Sequence, residues 1–182
     1  MDKYIKYEDL NREIQVEFHN YLEKNKYSIN DIDIDTELFK WFDEYFESWF
    51  MTKFNTGNKK RSYNRVDVEI PVKVMDTIVD YNDFDEGEIE NEIIGQLINI
   101  SRGGMYYRSS VPVEKSSIIK IKVKFSEVEK NADDVEALAM VMRVDKLANN
   151  EYGIGLMFST IYDVDKKSLY LFIFHRLVEI LA

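Results

Sequence analysis

Cysteine is absent, which excludes disulfide scaffolds, thiol nucleophiles and sulfur-ligated zinc sites. Histidine is scarce as well. His19 and His175 are the only two, so a multi-histidine metal centre is excluded and any histidine-dependent triad would rest on one of them. Two prolines and seven glycines rule out collagen-like and low-complexity repeats. No run approaches ~18 consecutive apolar residues, which predicts no membrane-spanning helix. The apolar tail Leu169 to Ala182 is short and carries His175, Arg176 and Glu179. The first residues, MDKYIKYEDL, lack the apolar core of a signal peptide, and a cytoplasmic protein is expected. Walker A, GxGxxG and GxSxG motifs are all missing.

What is present suits a filled core. The 182 residues fit one domain with a small extension at ~150 residues per domain. Hydrophobic residues make up 45% of the chain and aromatics 14%, too many for a disordered segment. A net charge of −10 argues against wholesale binding along a nucleic-acid backbone. Positive charge is nevertheless concentrated between Thr52 and Val66, where Lys53, Lys59, Lys60, Arg61 and Arg65 occur with no acid. Such a cluster on an acidic protein suits a small anion.

The period of the apolar residues changes once along the chain. Leu10, Ile14, Phe18 and Leu22 recur every four residues, which predicts a helix. After the acidic break NDIDID (Asn30 to Asp35), which suits a helix start, comes an aromatic stripe. It comprises Leu38, Trp41, Phe42, Tyr45, Phe46, Trp49, Phe50 and Phe54. Such a stripe is expected to be core, with a partner-binding or self-associating face as the alternative. Beyond the connector Asn55 to Lys60, Val66, Val68, Ile70, Val72 and Val74 alternate with polar residues, as in a half-buried strand. Pro71 within it predicts an edge or a bulge. Further strands are expected at Ile93 to Ile100, Met105 to Arg108, Ile118 to Phe125, Ala137 to Val144 and Tyr152 to Phe158. This spacing suggests a small barrel or sandwich, followed by a helix from about Val164. The acidic run Tyr81 to Glu92 fails the EF-hand pattern and reads as a solvated hairpin.

Two segments stand apart from this scaffold. Lys60-Arg61-Ser62-Tyr63-Asn64-Arg65 places two arginines four residues apart before the first strand. Planar, bidentate guanidinium groups suit phosphate oxygens and the O6/N7 edge of guanine. Asn99-Ile100-Ser101-Arg102-Gly103-Gly104 ends a strand, with Ile100 directed inward and Asn99 and Ser101 sharing the other face. Its glycines permit a positive-φ turn and a close approach.

Together, RSYNR and NISRGG resemble the PilZ domain signature, RxxxR followed by [D/N]xSxxG. The later runs Ala139 to Val144 and Tyr152 to Phe158 and the closing helix resemble the rest of that domain, from about Lys59 to Ala182. The resemblance implies a six-stranded antiparallel β-barrel with a C-terminal helix at about 164–181. The domains would be a helical extension, 1–55, and a PilZ-like domain, 56–182, whose first ten residues (56–65) form an arm. It implies a receptor rather than an enzyme, with no metal or cofactor and with cyclic di-GMP as ligand. Arg61 and Arg65 would contact guanine edges and phosphates, Asn99 a guanine edge, and Ser101 would add a hydrogen bond. Gly104 would allow the turn, and the flanking Lys60 and Arg102 would add phosphate contacts. Asn99 takes the family's alternative to aspartate, with one acceptor oxygen where a carboxylate has two. Ligand binding would order the arm and rearrange the N-terminal helices or a partner surface. Two other classes compete: a protein–protein adaptor with this fold and no nucleotide role, and a nucleotide hydrolase, for which no nucleophile and base are assembled.

Overall fold

The strands begin and end close to where the sequence pattern predicts them. In the computed structural model, which describes residues 7, 10, 12–28, 33–54, 63–75, 92–129 and 132–181, they are β1 (Val66–Met75), β2 (Glu92–Ser101), β3 (Gly104–Ser109), β4 (Ile118–Val123), β5 (Val135–Lys146) and β6 (Tyr152–Ile161). All neighbours are antiparallel, and they close into a barrel in the order β1-β2-β3-β6-β5-β4. Val66, Ile70, Val72, Leu97, Ile100, Tyr107, Ile121, Ala139 and Ile154 fill its interior. The acidic segment 76–91 lies outside the described residues.

Closure leaves no edge strand, so Pro71 is accommodated differently. Its carbonyl accepts from Lys124 N–H at 3.5 Å, and the ladder with β4 begins only at Val72. A strand residue's N–H and C=O point to the same side, so the missing proline N–H falls just past the end of that ladder. The bulge expected near Pro71 sits a little earlier, between Asp67 and Ile70.

The helices are α1 (Arg12–Lys24), α2 (Ile34–Trp41), a π-helical turn (Phe42–Phe46), α3 (Glu47–Phe54) and α4 (Asp163–Leu181). Asp33 starts α2: its carboxylate accepts from the Thr36 hydroxyl at 2.8 Å, and its carbonyl from Glu37 N–H. The aromatic stripe is mostly core. Leu38, Trp41, Phe42, Phe46 and Phe50 are buried, whereas Tyr45 is 44% exposed. Buried positions four apart overshoot a 3.6-residue turn by about 40° each time, and the wider π turn takes up part of that drift.

The chain forms two compact units. One comprises residues 1–64 together with Tyr170–Ala182, and the other is Arg65–Leu169, so α4 runs from the second into the first. In the helical unit, Phe18 of α1 meets Trp41 at 5.6 Å between ring centroids. Phe42 and Phe46 meet Phe174 of α4 at 4.4 and 4.8 Å. Among the described residues, no helix is long and apolar enough to cross a membrane.

Candidate functional site

β1 and β2 bring the end of the arginine motif to the asparagine motif. Val66 pairs with Ile100 and Asp67 with Asn99. Continuing that register by one residue puts Arg65, which is exposed, opposite Ser101. Ile100 faces inward and is fully buried, as alternation requires. Asn99 is half-buried on the outer face of the barrel, and its Oδ1 is buried without a hydrogen-bond partner among the described residues. A good acceptor left in that state costs on the order of 1–3 kcal/mol unless something donates to it. Lys60 and Arg61 lie outside the described residues.

The β2–β3 turn is tied down from three directions. The Ser101 hydroxyl donates to the Gly104 carbonyl at 3.1 Å, and Ser101 is only 6% exposed. Phe158 N–H of β6 donates to the Gly103 carbonyl at 3.1 Å. Gly104 packs so closely on β6 that a Cβ there would lie 2.1 Å from the Leu156 carbonyl oxygen. Glycine is therefore required at 104 by close packing of two strands, in addition to any turn it permits. Between these ties sits Arg102, half-buried, with its Nε out of solvent.

Asn99 also begins a row of outward-facing cross-strand neighbours. Asn99 pairs with Tyr106 of β3, Tyr106 with Gly155 of β6, and Gly155 with Arg143 of β5. The Arg143 guanidinium lies over the Tyr106 ring, 4.8 Å from its centroid. Asp145 joins both, with a carboxylate oxygen 3.4 Å from Arg143 Nε and 3.5 Å from the Tyr106 hydroxyl. Tyr106 and Arg143 carry no motif in the sequence, because their adjacency depends on β3 pairing with β6. A usable signal was nevertheless present: Gly153 and Gly155, two apart in a strand, leave one face bare.

An open groove of about 370 Å³ is lined by Gln96, Arg108 and Glu151 among others, and none of the motif residues lines it. Arg108 donates to Gln96 at 2.8 Å and approaches Glu151 at 3.7 Å, so its charge is locally matched. Among the described residues, no group of three acidic or histidine side chains gathers to hold a metal. His19 pairs with Glu23 one turn along α1, at 3.2 Å.

Motif order, barrel closure and closing helix now stand together, and the PilZ domain profile matches residues 59–175. The chain belongs to the PilZ domain family. Its fold is similar to that of the Bacillus subtilis inhibitor of motility (MotI/DgrA), at 20% identity and a TM-score of 0.53, over 67% of this chain and 53% of that one. It is also similar to YcgR of Escherichia coli in complex with c-di-GMP, at 15% identity and a TM-score of 0.50, over 67% of this chain and 48% of that one. A third similar structure is apo MrkH of K. pneumonia, at 12% identity and a TM-score of 0.50, over 68% and 53%. This PilZ chain thus spans about half the length of each. No curated protein sequence matches it.

Proposed function

We propose that this PilZ protein is a non-catalytic, cytoplasmic receptor for cyclic di-GMP. The observation that carries the reading is the Oδ1 of Asn99, buried without a hydrogen-bond partner among the described residues, at a motif position next to the tied β2–β3 turn. Guanine presents N1–H and N2–H donors along one edge, and an acceptor already stripped of water loses little on meeting them. Arg61 and Arg65 would hold phosphates and guanine O6/N7 edges, with planes that also stack on purines. Ser101, whose hydroxyl proton is already given to Gly104, would serve as an acceptor or through its backbone. Lys60 and Arg102 would add charge around the phosphates.

The arm containing Arg61 and Arg65 directly precedes the barrel in the chain and follows the aromatic helices. Ordering it on ligand would change the setting of those helices or the surface offered to a protein partner, with the exposed edge at Tyr45 as one contact. The c-di-GMP complex of YcgR supports the ligand class by its fold.

Calorimetric titration of cyclic di-GMP tests the reading. Saturable binding is expected in the wild type, with a loss of at least about 100-fold in Arg61→Ala/Arg65→Ala, the scale of two charge-assisted contacts. No heat at several temperatures, together with no thermal shift, would leave the adaptor reading in its place.

A further inference from the structure

We infer that Tyr106 and Arg143 form a second wall of the nucleotide site, a guanidinium-on-ring platform that receives one purine face and favours guanine over adenine. The inference rests on the cyclic di-GMP reading above and extends it to residues outside both motifs.

The platform is built into the barrel wall. A Cβ at Gly153 would lie 1.8 Å from the Tyr106 hydroxyl oxygen, and one at Gly155 would lie 2.8 Å from Arg143 Cγ. Both side chains therefore lie flat against β6 only because β6 has glycine at those two positions. Glycine inside a strand weakens it, so two on one face mark a close approach rather than ordinary sheet packing. Arg143 runs back across Gly155 until its guanidinium covers the Tyr106 ring, and Tyr106 is the direct neighbour of Asn99. Although Asn99 and Arg143 are three strands apart, about 14 Å at ~4.8 Å per strand, the Arg143 head ends about one strand spacing from the asparagine row.

The chemistry of the pair fits a flat, anionic ligand. The Arg143 side chain is 56% exposed, so the outer face of its guanidinium is open to a base. The Tyr106 ring backs the guanidinium at 4.8 Å, and Asp145 holds its Nε from the side at 3.4 Å. A surface cation–π contact stabilises a fold only weakly, too little to account for two strand-interior glycines if stability were its only role. A guanidinium stacked on one base cannot bond that base's own edge, so its terminal paired donors are left for the edge of the ligand's second purine. Guanine offers two acceptors, O6 and N7, whereas adenine offers N7 beside an N6 donor that opposes them.

Titration of cyclic di-GMP and cyclic di-AMP into wild type, Arg143→Ala, Arg143→Lys, Gly155→Ala and Arg65→Ala tests this. Arg143→Ala should weaken cyclic di-GMP binding about 10-fold, the scale of one lost base stack, and narrow the preference over cyclic di-AMP. Arg143→Lys keeps the charge but not the plane and should recover less than half of that loss. Gly155→Ala, which displaces Arg143 without deleting it, should weaken binding as well, with thermal melts confirming that each variant is folded. If Arg143→Ala and Gly155→Ala both bind within about twofold of wild type while Arg65→Ala does not bind, the platform is wrong and the receptor reading stands. If wild type binds neither nucleotide, both fall.

Discussion

The two units of this chain are held by different forces, and the difference bears on where chemistry can be placed. The barrel is a closed ladder, in which every strand has a neighbour on each side and the outer face is free to carry polar side chains. The helical unit has no such ladder between its elements. Rings of α1, the π turn, α3 and α4 hold it together, with Phe46 meeting Trp41, Phe42, Trp49, Phe50 and Phe174 at 4.8 to 6.0 Å. In the barrel, a binding residue can change without loosening the frame. In the helical unit, frame and surface are the same aromatic stripe.

The sharpest way to break this comparison is Phe46→Ala. Phe46 is 0% exposed, and removing a buried phenyl ring typically costs about 3–5 kcal/mol. Segment-resolved hydrogen exchange should show lost protection across α2, the π turn and α3. Unchanged protection there would mean that the aromatic cluster does not hold the unit.

A smaller effect is expected inside the barrel at Tyr107. Its ring lies against Gly95, and its hydroxyl is buried without a hydrogen-bond partner among the described residues. Tyr107→Phe removes an unsatisfied polar group and should stabilise the protein by about 1 kcal/mol in denaturant melts. Burial pushes the Tyr107 phenol above its ordinary value, so the folded state resists ionising it. The unfolded chain ionises this tyrosine from about pH 10, and the stability tied to the neutral phenol declines from there upward. Tyr107→Phe should flatten that alkaline decline. A destabilised variant would mean that the hydroxyl has a partner, such as a bound water. Tyr21 of the helical unit is also raised, to about 12, by burial and then by the Glu37 and Glu44 carboxylates.

The sequence was most legible where a side chain's role depends on its immediate neighbours. β1 follows from alternation and the other five strands from short apolar runs between polar turns, and Asn99 outward with Ile100 inward follows from the strand period. Legibility failed where distant strands or a backbone irregularity decide. The β5 bulge between Val141 and Arg143 leaves both Met142 and Arg143 exposed, which alternation forbids. The demand for glycine at 104 comes from Leu156, and the Tyr106–Arg143 contact from a pairing that skips two strands in sequence. The π turn contains neither glycine nor proline, the residues that ordinarily announce a broken helix.

The smallest effect tests whether the outer face of the barrel is as energetically quiet as the comparison requires. Glu136 on β5 accepts from Lys120 at 2.8 Å and from Lys122 at 3.4 Å, both on β4. The hydrogen bond from Lys120, helped by the charge of both lysines, holds its carboxyl below the usual value, against the opposing pull of burial. A carboxyl depressed in the folded state contributes stability above its unfolded pKa, and that contribution is lost as pH falls through the folded value. With its side chain 33% exposed, solvent and salt screen most of it, leaving a few tenths of a kcal/mol. Glu136→Gln should therefore lower stability by that amount at pH 7 and low salt, with the difference shrinking as the pH falls through the folded value. A loss above about 1.5 kcal/mol would make the outer face part of the frame, and binding residues there could no longer change without cost to the fold.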